Sequence, residues 1–275
     1  MSVPSIHSLI IYPIKSLGGI NVSKISIEPP GLQYDRRFML VDERNNFITQ
    51  RTRPELTRFQ LEFKQEGFEV MDQWTRKSKY LHFNPILGST EEVQIWDDRV
   101  LATEVLEDWS AWFSEKLDQK VRLFQLSSSF SRIINPEYQT EKSKISSFAD
   151  SLPILLCSKA SFDHLDLLLD HPLDWRRFRP NIIVSNQTAF EEDTWLELSI
   201  GSSVKLFGAK LCARCQLINV DPVDGTIDSN ILKTLSHIRK FGNKVYFGQQ
   251  FVPISLGEIK VGDPITLHKI KDAIF

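Results

Sequence analysis

Short hydrophobic segments with alternating polar positions recur along the first part of the chain, and turn-forming residues separate them. Alternation with a period of two residues is typical of β-strands that bury one face. The polar run at residues 42–46, Asp-Glu-Arg-Asn-Asn, predicts a hairpin connection between two such segments. The predicted strands are residues 8–12, 37–41, 47–50, 59–63, 93–96 and 121–124.

One amphipathic helix interrupts this β pattern. Its hydrophobic stripe consists of Leu106, Trp109, Trp112, Phe113 and Leu117, and acidic residues lie outside the stripe. Because amphipathic packing requires such a stripe, we expect the two tryptophans to pack in the core rather than to form a stacking platform.

The second part of the chain mixes helices with strands. One predicted helix has a hydrophobic side of Phe162, Leu165, Leu168 and Leu169. Another carries Ile231, Leu232, Leu235 and Ile238, with Ser229 as its predicted N-cap. Strands are predicted at residues 181–185, 196–200 and 216–220, and on both sides of the turn at residues 262–263. The predicted fold class is α+β and β-dominated, with at least one barrel or strongly curved sheet.

A shift toward serine between residues 125 and 150 predicts a domain boundary or a long surface loop. We therefore divide the chain into a domain of residues 1–125 and a domain of residues 126–275.

Composition excludes several classes of protein. The formal net charge of the 275 residues is only -2, and Lys and Arg are scattered, so we expect no nucleic-acid partner. Three cysteines do not form a disulfide framework, which favours a reducing compartment. The start, MSVPSIHSLIIYPIKS, has neither a basic lead nor a long apolar run, so we expect no signal peptide and no membrane helix. The predicted location is the cytoplasm.

Two of the three cysteines flank a guanidinium in the sequence Cys212-Ala213-Arg214-Cys215. A thiolate is a soft metal ligand and a nucleophile, and a neighbouring cation favours it. A structural zinc site would need two further ligands, for which His237 and His268 are candidates without any spacing signal. A thioredoxin-type pair should open a helix, whereas a strand pattern follows Cys215. The alternative of a buried structural thiol pair stays open.

Basic residues also cluster at three predicted strand ends, in the sequences YPIKS (residues 12–16), DRRF (35–38) and RRFRPN (176–181). Taken singly, each cluster is typical of a solvated face. Together they predict a site for an anionic ligand, because Arg matches phosphate and carboxylate with bidentate geometry. The chain has no G-x-G-x-x-G, Walker, H-E-x-x-H or G-x-S-x-G motif, so the common nucleotide, zinc-protease and hydrolase sites are unsupported.

The ordered set of motifs resembles one family. YPIKSLGGI, GLQYDRRFMLVD with FITQR, FRPNIIVS, EEDTW-x-x-L-x-IG, CARCQLINVDP-x-x-G, FGQ and I-x-VGD follow one another from residue 6 to residue 267. The chain thereby resembles the molybdenum cofactor sulfurase C-terminal (MOSC) domain family. It is similar to bacterial members that detoxify N-hydroxylated bases and to the mitochondrial amidoxime reducing component.

The resemblance implies a MOSC N-terminal β-barrel-like domain in residues 1–125 and a MOSC β-barrel domain with a few helices in residues 126–275. It also implies a molybdenum–molybdopterin cofactor that supplies redox chemistry, and reduction of N-hydroxylated compounds such as hydroxylaminopurines. Pyridoxal phosphate binding is a further term at the level of the family.

Motif by motif, the resemblance implies that Cys215 is the metal ligand and catalytic residue, with Cys212 in a supporting role. The implied cofactor-binding residues are Lys15, Ser16, Arg36, Ser151, Arg179, Asn181, Arg214 and Gln250. Gln250 departs from the mitochondrial relatives, which place Tyr after FGQ, so its contact should differ in kind.

The implied partners are a small N-hydroxylated substrate and a separate flavin or iron–sulfur protein that donates electrons. Three cysteines cannot hold an iron–sulfur cluster of four thiolates, and the chain begins a few residues before its first predicted strand. We therefore expect no cluster of its own, no membrane anchor and no nucleic-acid partner. Two alternatives remain: a carrier of molybdenum cofactor or sulfur without turnover, and a zinc-stabilised interaction domain.

Overall fold

Strands form most of the regular structure in the computed structural model, which describes residues 3–126 and 132–275. The first strands are β1 (Ser5–Ile11), β2 (Ile20–Val22), β3 (Lys24–Glu28), β4 (Gly31–Leu32), β5 (Phe38–Val41), β6 (Phe59–Lys64), β7 (Gly67–Asp72), β8 (Lys77–His82), β9 (Leu87–Ile95), β10 (Asp98–Val105) and β11 (Arg122–Leu126). The later strands are β12 (Arg132–Ile133), β13 (Ile145–Ser146), β14 (Ile154–Ser158), β15 (Ile182–Ser185), β16 (Trp195–Ile200), β17 (Val204–Arg214), β18 (Lys240–Phe241), β19 (Lys244–Pro253), β20 (Gly257–Lys260) and β21 (Ile265–Ile270). The predicted β-dominated class is confirmed.

The α-helices are α1 (Trp109–Leu117), α2 (Lys159–Asp166) and α3 (Asn230–Arg239). Short 3-10 helices cover Pro54–Arg58, Pro136–Tyr138, Trp175–Phe178, Glu191–Thr194 and Gln216–Asn219. Within the described residues, none of the helices is long and apolar enough to cross a membrane.

The largest sheet joins the start of the chain to its second half. Its strand order is β2-β1-β15-β14-β19-β17-β16-β21, with β18 paired to β19. It curves back on itself, because Ser5 in β1 bridges Pro264, directly before β21, and Ile6 N–H donates to the Asp263 carbonyl. The antiparallel pairing of β1 with β15 matters most for function, because it brings the loops next to both strands together.

Smaller sheets pack around this one, in the orders β5-β11-β10-β9, β20-β3-β4, β6-β7-β8 and β12-β13. One hydrophobic cluster contains Leu9 and Phe59 from the first part of the chain and Trp195 and Ile265 from the last part. The two parts therefore share a continuous core.

Most strand predictions in the first part are confirmed within a few residues, by β1, β5, β6, β9 and β11. The strand predicted at residues 47–50 is wrong. Phe47 makes an isolated bridge to Val41 and donates to the Gln94 carbonyl without forming a strand, and the Thr49 carbonyl accepts hydrogen bonds from the N–H groups of Thr52 and Arg53. A turn therefore takes up the backbone groups that a strand would need.

The helix predictions hold for their central residues and fail at their ends. Trp109 is fully buried, as expected of a core residue, whereas Leu106 is 42% exposed because Glu107 and Asp108 adopt positive φ before α1 begins. The prediction that Leu168 belongs to the hydrophobic side of α2 is also wrong, since that helix ends at Asp166 and Leu168 is 45% exposed.

The predicted N-cap position of α3 is confirmed, but another side chain makes the capping hydrogen bond. The side chain of Ser229 makes no capping hydrogen bond, although Ser229 occupies the N-cap position. Asp228 instead accepts a hydrogen bond from the N–H of Asn230 through Oδ1. A carboxylate one residue earlier thus satisfies a free donor of the first turn.

The serine-rich segment is not a surface loop in its last part. Ser143, Ser146 and Ser147 are buried, and the hydroxyl of Ser143 donates to the Pro29 carbonyl. Residues 127–131 lie outside the described residues. The domain boundary at residues 125 and 126 stays a prediction.

Removing the buried ion pair between Arg58 and Asp72 should lower the free energy of unfolding. It should also make that free energy depend less on pH in the acidic range. Arg58 binds both carboxylate oxygens, at 2.6 and 2.5 Å, and the Asp72 side chain is 0% exposed. Burial alone would raise the pKa of Asp72, but Arg58, Thr75 and the Trp74 N–H lower it to about 2. A lowered pKa adds stability above the unfolded value near 4, and that stability is lost as pH falls through 2.

We expect Asp72→Asn to be less stable than the wild type at pH 5. The difference in unfolding free energy should shrink by roughly 2 kcal/mol between pH 5 and pH 2, because 1.4 kcal/mol corresponds to one pKa unit. Urea titrations at the two pH values measure it, with the exposed Asp97→Asn as control. An unchanged difference between the two pH values would contradict the assignment.

Candidate functional site

Three loops beside the paired strands β1 and β15 converge on one cavity. Lys15 and Ser16 follow β1, Arg36 precedes β5, and Arg179 and Asn181 precede β15. All five residues line this cavity. The structure thus brings together side chains that lie more than 160 residues apart in sequence, as the clustering of basic residues at strand ends predicts.

Only one of the three guanidiniums in residues 176–179 reaches this cavity. Arg176 pairs with Asp174 at the surface, and Arg177 donates to the Asn219 carbonyl and to Asp221. Those two therefore fix the loop, while Arg179 lines the cavity.

Asn181 holds Arg36 in place. Its Oδ1 accepts from Arg36 Nη1 at 3.2 Å and from the Leu155 N–H at 3.1 Å, while its Nδ2 donates to the Ile10 carbonyl. Arg36 also donates to Asp35 at 2.6 Å and to the Arg179 carbonyl at 3.2 Å. Because its amide oxygen accepts from Arg36, Asn181 can act on a ligand by orienting that guanidinium.

Lys15 is buried beside a carboxylate that the charge clusters alone do not reveal. Its ammonium lies 2.5 Å from Asp150 Oδ1 and 2.8 Å from the Phe148 carbonyl. Burial lowers the pKa of Lys15 to about 8, although Asp150 opposes this change. Desolvation would raise the pKa of Asp150, but the charge and hydrogen bond of Lys15 lower it well below its usual range. Asp150 is therefore ionised and steadies a cation inside the cavity.

The backbone is unusual at three of these residues. Ser16, Arg36 and Arg179 have φ values of 69°, 50° and 55°. Positive φ is uncommon outside glycine, and strained residues of this kind cluster at ligand-binding sites. This observation supports a binding role for the three loops.

Donors without partners remain in the cavity wall. Arg179 Nη2 and Arg214 Nε are buried, and neither has a hydrogen-bond partner among residues 3–126 and 132–275. Burial lowers the pKa of Arg179 to about 10, and its guanidinium lies 4.1 Å from the Tyr12 ring centre. An unpartnered buried donor is costly, and an anionic ligand would satisfy both groups.

The two cysteines of the C-x-x-C sequence have different surroundings. Cys212 lies on β17, where its sulfur accepts a hydrogen bond from Arg214 Nη1 at 3.1 Å. Cys215 follows the strand, is exposed, and lies 3.9 Å from Arg51 Nη1. Cys215 is therefore the thiol with room for a further ligand.

The strand predicted at residues 216–220 is wrong, because Gln216–Asn219 is a 3-10 helix that Cys215 begins. The Ile218 N–H donates to the Cys215 carbonyl, and Asn219 Oδ1 accepts from the N–H of Leu232 in α3. Burial of Ile218 and Asn219 against α3 overrides the alternating pattern.

Cys157 is a structural thiol. It is fully buried in the cluster with Phe162 and Phe247, and burial raises its pKa well above the usual value. Its sulfur lies so close to Gly248 that a Cβ there would be 2.6 Å away. Such a thiol is inert toward metals and oxidants.

The described part of the chain contains no group of three or more His, Cys, Asp or Glu side chains arranged for a metal ion. In the described residues, His237 and His268 therefore do not complete a zinc site with Cys212 and Cys215.

The cavity around Arg179 opens into a larger one of about 590 Å³. Asp150, Cys212, Arg214 and Gln250 line both cavities, while Ser151 and Cys215 line the larger one. The two form a continuous cleft, which contains every residue that the sequence analysis assigned to the site. Their roles as ligands stay a prediction.

Comparison with known proteins shows to which family the chain belongs. Mitochondrial amidoxime-reducing component 1 of Mus musculus is 30% identical over 283 residues, covering 96% of this chain and 82% of the mouse protein. The human counterpart is 29% identical, with 96% and 83% covered. The MOSC N-terminal beta barrel domain matches residues 3–120 and the MOSC domain matches residues 144–266. The chain belongs to the MOSC family.

This MOSC protein is also similar to a larger relative. The molybdenum cofactor sulfurase of Oryza sativa subsp. japonica is 30% identical over 284 residues, covering 90% of this chain but only 32% of the rice protein.

Sequence reasoning missed residues of the MOSC cleft that carry no charge cluster. The Arg51 guanidinium lies 3.9 Å from the Trp96 ring centre and 5.8 Å from that of Phe47, and its Nη1 lies 3.9 Å from the Cys215 sulfur. Trp96 Nε1 in turn donates to Asp150 at 3.2 Å. Arg51 stands in the quoted motif FITQR, which was the available signal for it, whereas Asp150 stands in none of the quoted motifs.

Proposed function

We propose that this MOSC protein is a molybdenum-cofactor-dependent reductase of N-hydroxylated compounds such as hydroxylaminopurines. The observation that carries the proposal is an exposed thiol, Cys215, at the edge of a cleft whose buried guanidinium donors lack partners among the described residues. Support also comes from the relatives named amidoxime-reducing components, which match nearly the whole chain.

The residues present fit such a cofactor. A soft thiolate such as that of Cys215 suits molybdenum, and an anionic pterin phosphate suits Lys and Arg donors. We assign the metal to Cys215 and the pterin with its phosphate to Lys15, Ser16, Arg36, Ser151, Arg179, Arg214 and Gln250. Asn181 would act through Arg36, which it orients. When bound, the cofactor would supply two-electron redox chemistry.

The reaction consumes electrons and protons and releases water. In balanced form it is R–NHOH + 2 e⁻ + 2 H⁺ → R–NH₂ + H₂O, in which the N–O bond breaks. Asp150 is held ionised by Lys15, so its part is to position that cation. Arg51 packs on the Trp96 ring and lies next to Cys215. It can therefore contact a polar substrate group at the mouth of the cleft.

Electrons would come from a separate flavin or iron–sulfur protein, because the three cysteines of this chain do not provide the ligands of a cluster. All three thiols are free, which fits a reducing compartment such as the cytoplasm.

The chain loaded with molybdenum should reduce a hydroxylaminopurine with reduced viologen but not with NADH or NADPH alone. Viologen needs no docking surface, whereas the sequence has no dinucleotide fingerprint. Adding a flavin or iron–sulfur reductase from the same cell should restore dependence on the nicotinamide nucleotide. That coupled rate should fall as salt screens the encounter between the two proteins.

Three results would contradict this proposal. Turnover with NADH by the isolated chain would remove the need for a donor protein. Absence of viologen-driven turnover in molybdenum-loaded protein would favour a carrier of cofactor or sulfur, in line with the similarity to the rice sulfurase. Zinc instead of molybdenum with pterin in the purified protein would favour an interaction domain.

A further inference from the structure

The outer part of the cleft carries positive charge that the proposed cofactor contacts leave unused. Lys210 lies on β17 and Lys244 on the adjacent antiparallel strand β19, and Lys271 follows β21. All three line the larger cavity together with Cys215. Lys210 lines the cavity on the same strand as Cys212 and Arg214.

The three lysines lack a direct carboxylate contact in the described part of the chain. Within residues 3–126 and 132–275, Lys210, Lys244 and Lys271 form no ion pair, although the charge of Glu137 acts on Lys210 and that of Asp193 acts on Lys271. In the cavity wall, Asp150 is engaged by Lys15, and Asp272 is exposed to solvent. The three ammonium groups are therefore without a direct ion pair that would compete with a bound anion.

Lys210 and Lys244 lie in the wall of the same cavity, so their charges act on one another. Desolvation lowers the pKa of Lys210 and the charge of Lys244 lowers it further, while the charges of Cys212 and Glu137 oppose the change. Desolvation likewise lowers the pKa of Lys271, and the charge of Asp193 opposes it. Two like charges held near each other are stabilised by an anion that lies between them.

Aromatic rings stand beside these cations. The Lys210 ammonium lies 4.9 Å from the ring centre of Tyr138, and Tyr246 lines the same cavity from β19. Aromatic faces stack on planar bases, and lysines bind phosphate as point charges. A cavity of about 590 Å³ falls within the usual size range for a small-molecule site.

We propose that this outer cavity is a phosphate subsite, and that the preferred substrate is an N-hydroxylated nucleotide rather than the free base. Lys210 and Lys244 bind the phosphate monoester, and Tyr138 and Tyr246 offer aromatic faces to the base and sugar. This inference rests on the proposed reductase function. Contacts to a phosphate remote from the N–O bond would raise kcat/KM for the nucleotide over the base.

The test compares 6-hydroxylaminopurine with its ribonucleoside 5′-monophosphate in the viologen-driven reaction. We expect Lys210→Gln and Lys244→Gln each to raise KM for the nucleotide about tenfold or more, as for loss of a charge-assisted hydrogen bond. The free base should be reduced at an unchanged rate, and the content of molybdenum and pterin should not change. Lys205→Gln is the matched control, because Lys205 is an exposed lysine on the same strand that does not line the cavity.

Calorimetric titration with adenosine 5′-monophosphate gives a readout that needs no turnover. We expect binding to the holoprotein, with affinity reduced about tenfold in each variant and unchanged in Lys205→Gln. If nothing is reduced by the loaded enzyme yet this binding pattern holds, the reductase proposal fails while the phosphate subsite stands.

Three results would overturn the inference. One is equal kcat/KM for base and nucleotide with no effect of either variant, which would leave the reductase function intact. Another is loss of molybdenum and pterin from the variants, which would make the lysines cofactor ligands. The third is a defect confined to the reaction driven by a reductase, which would assign the lysines to docking of the donor protein.

Discussion

Replacing Cys215 with serine should abolish molybdenum retention while the chain stays folded. Cys215 is exposed and lies outside the core, so the substitution removes one sulfur atom without opening a cavity. A hydroxyl is a poor substitute for a soft thiolate ligand. Elemental analysis of protein made in a host that synthesises the cofactor measures the loss, and circular dichroism checks the fold.

Cys212→Ser is the matched control and should have a milder effect. The Cys212 sulfur is already occupied by Arg214 Nη1, and Arg214 in turn donates to the Phe178 carbonyl at 2.8 Å. A serine hydroxyl can still accept a hydrogen bond from Arg214, so the guanidinium keeps its orientation. Equal loss of molybdenum in both variants would contradict a single ligand and would restore a C-x-x-C metal site.

The sequence predicts the strand-rich architecture well wherever one face of a segment is buried. Alternation at residues 59–63 identifies β6, where Phe59 and Leu61 are buried and Glu62 is exposed, whereas residues 37–41 identify β5 as a short hydrophobic run that is buried throughout. It fails at residues 216–220, where Ile218 and Asn219 are held by tertiary contacts to α3. Local propensity cannot anticipate contacts made by a helix that begins 11 residues after the 3-10 helix ends.

The candidate site likewise contains residues that the sequence predicts and residues that it does not. Clusters of Lys and Arg at strand ends predict that Lys15, Arg36 and Arg179 meet, because their strands are neighbours or adjoin the same sheet. The pairing of Lys15 with Asp150 and the contact of Arg51 with Cys215 depend on long-range folding. Charge patterning alone contains no signal for either, since Asp150 and Arg51 belong to none of the charge clusters.

Substituting Arg179 should weaken cofactor binding by roughly 1.5–3 kcal/mol, the usual range for a hydrogen bond to a charged group. That corresponds to a loss of about tenfold to a hundredfold in affinity for the pterin. Arg179 has a φ of 55°, so alanine would add backbone strain to the loss of charge. Arg179→Asn separates the two effects, because asparagine tolerates the left-handed conformation.

A control with the same backbone conformation exists on the surface. Arg76 has a φ of 57° and is exposed, with its guanidinium bonded to Gln73 outside the cleft. Arg76→Asn should retain pterin at the wild-type level, as measured by fluorescence of the oxidised pterin per mole of protein. Lys15→Met should lose pterin to a similar degree as Arg179→Asn, since both cations line one cavity. Folded Arg179 and Lys15 variants that bind pterin at wild-type strength would show that the two cations do not share an anionic ligand, and the unpartnered Nη2 of Arg179 would then need another explanation.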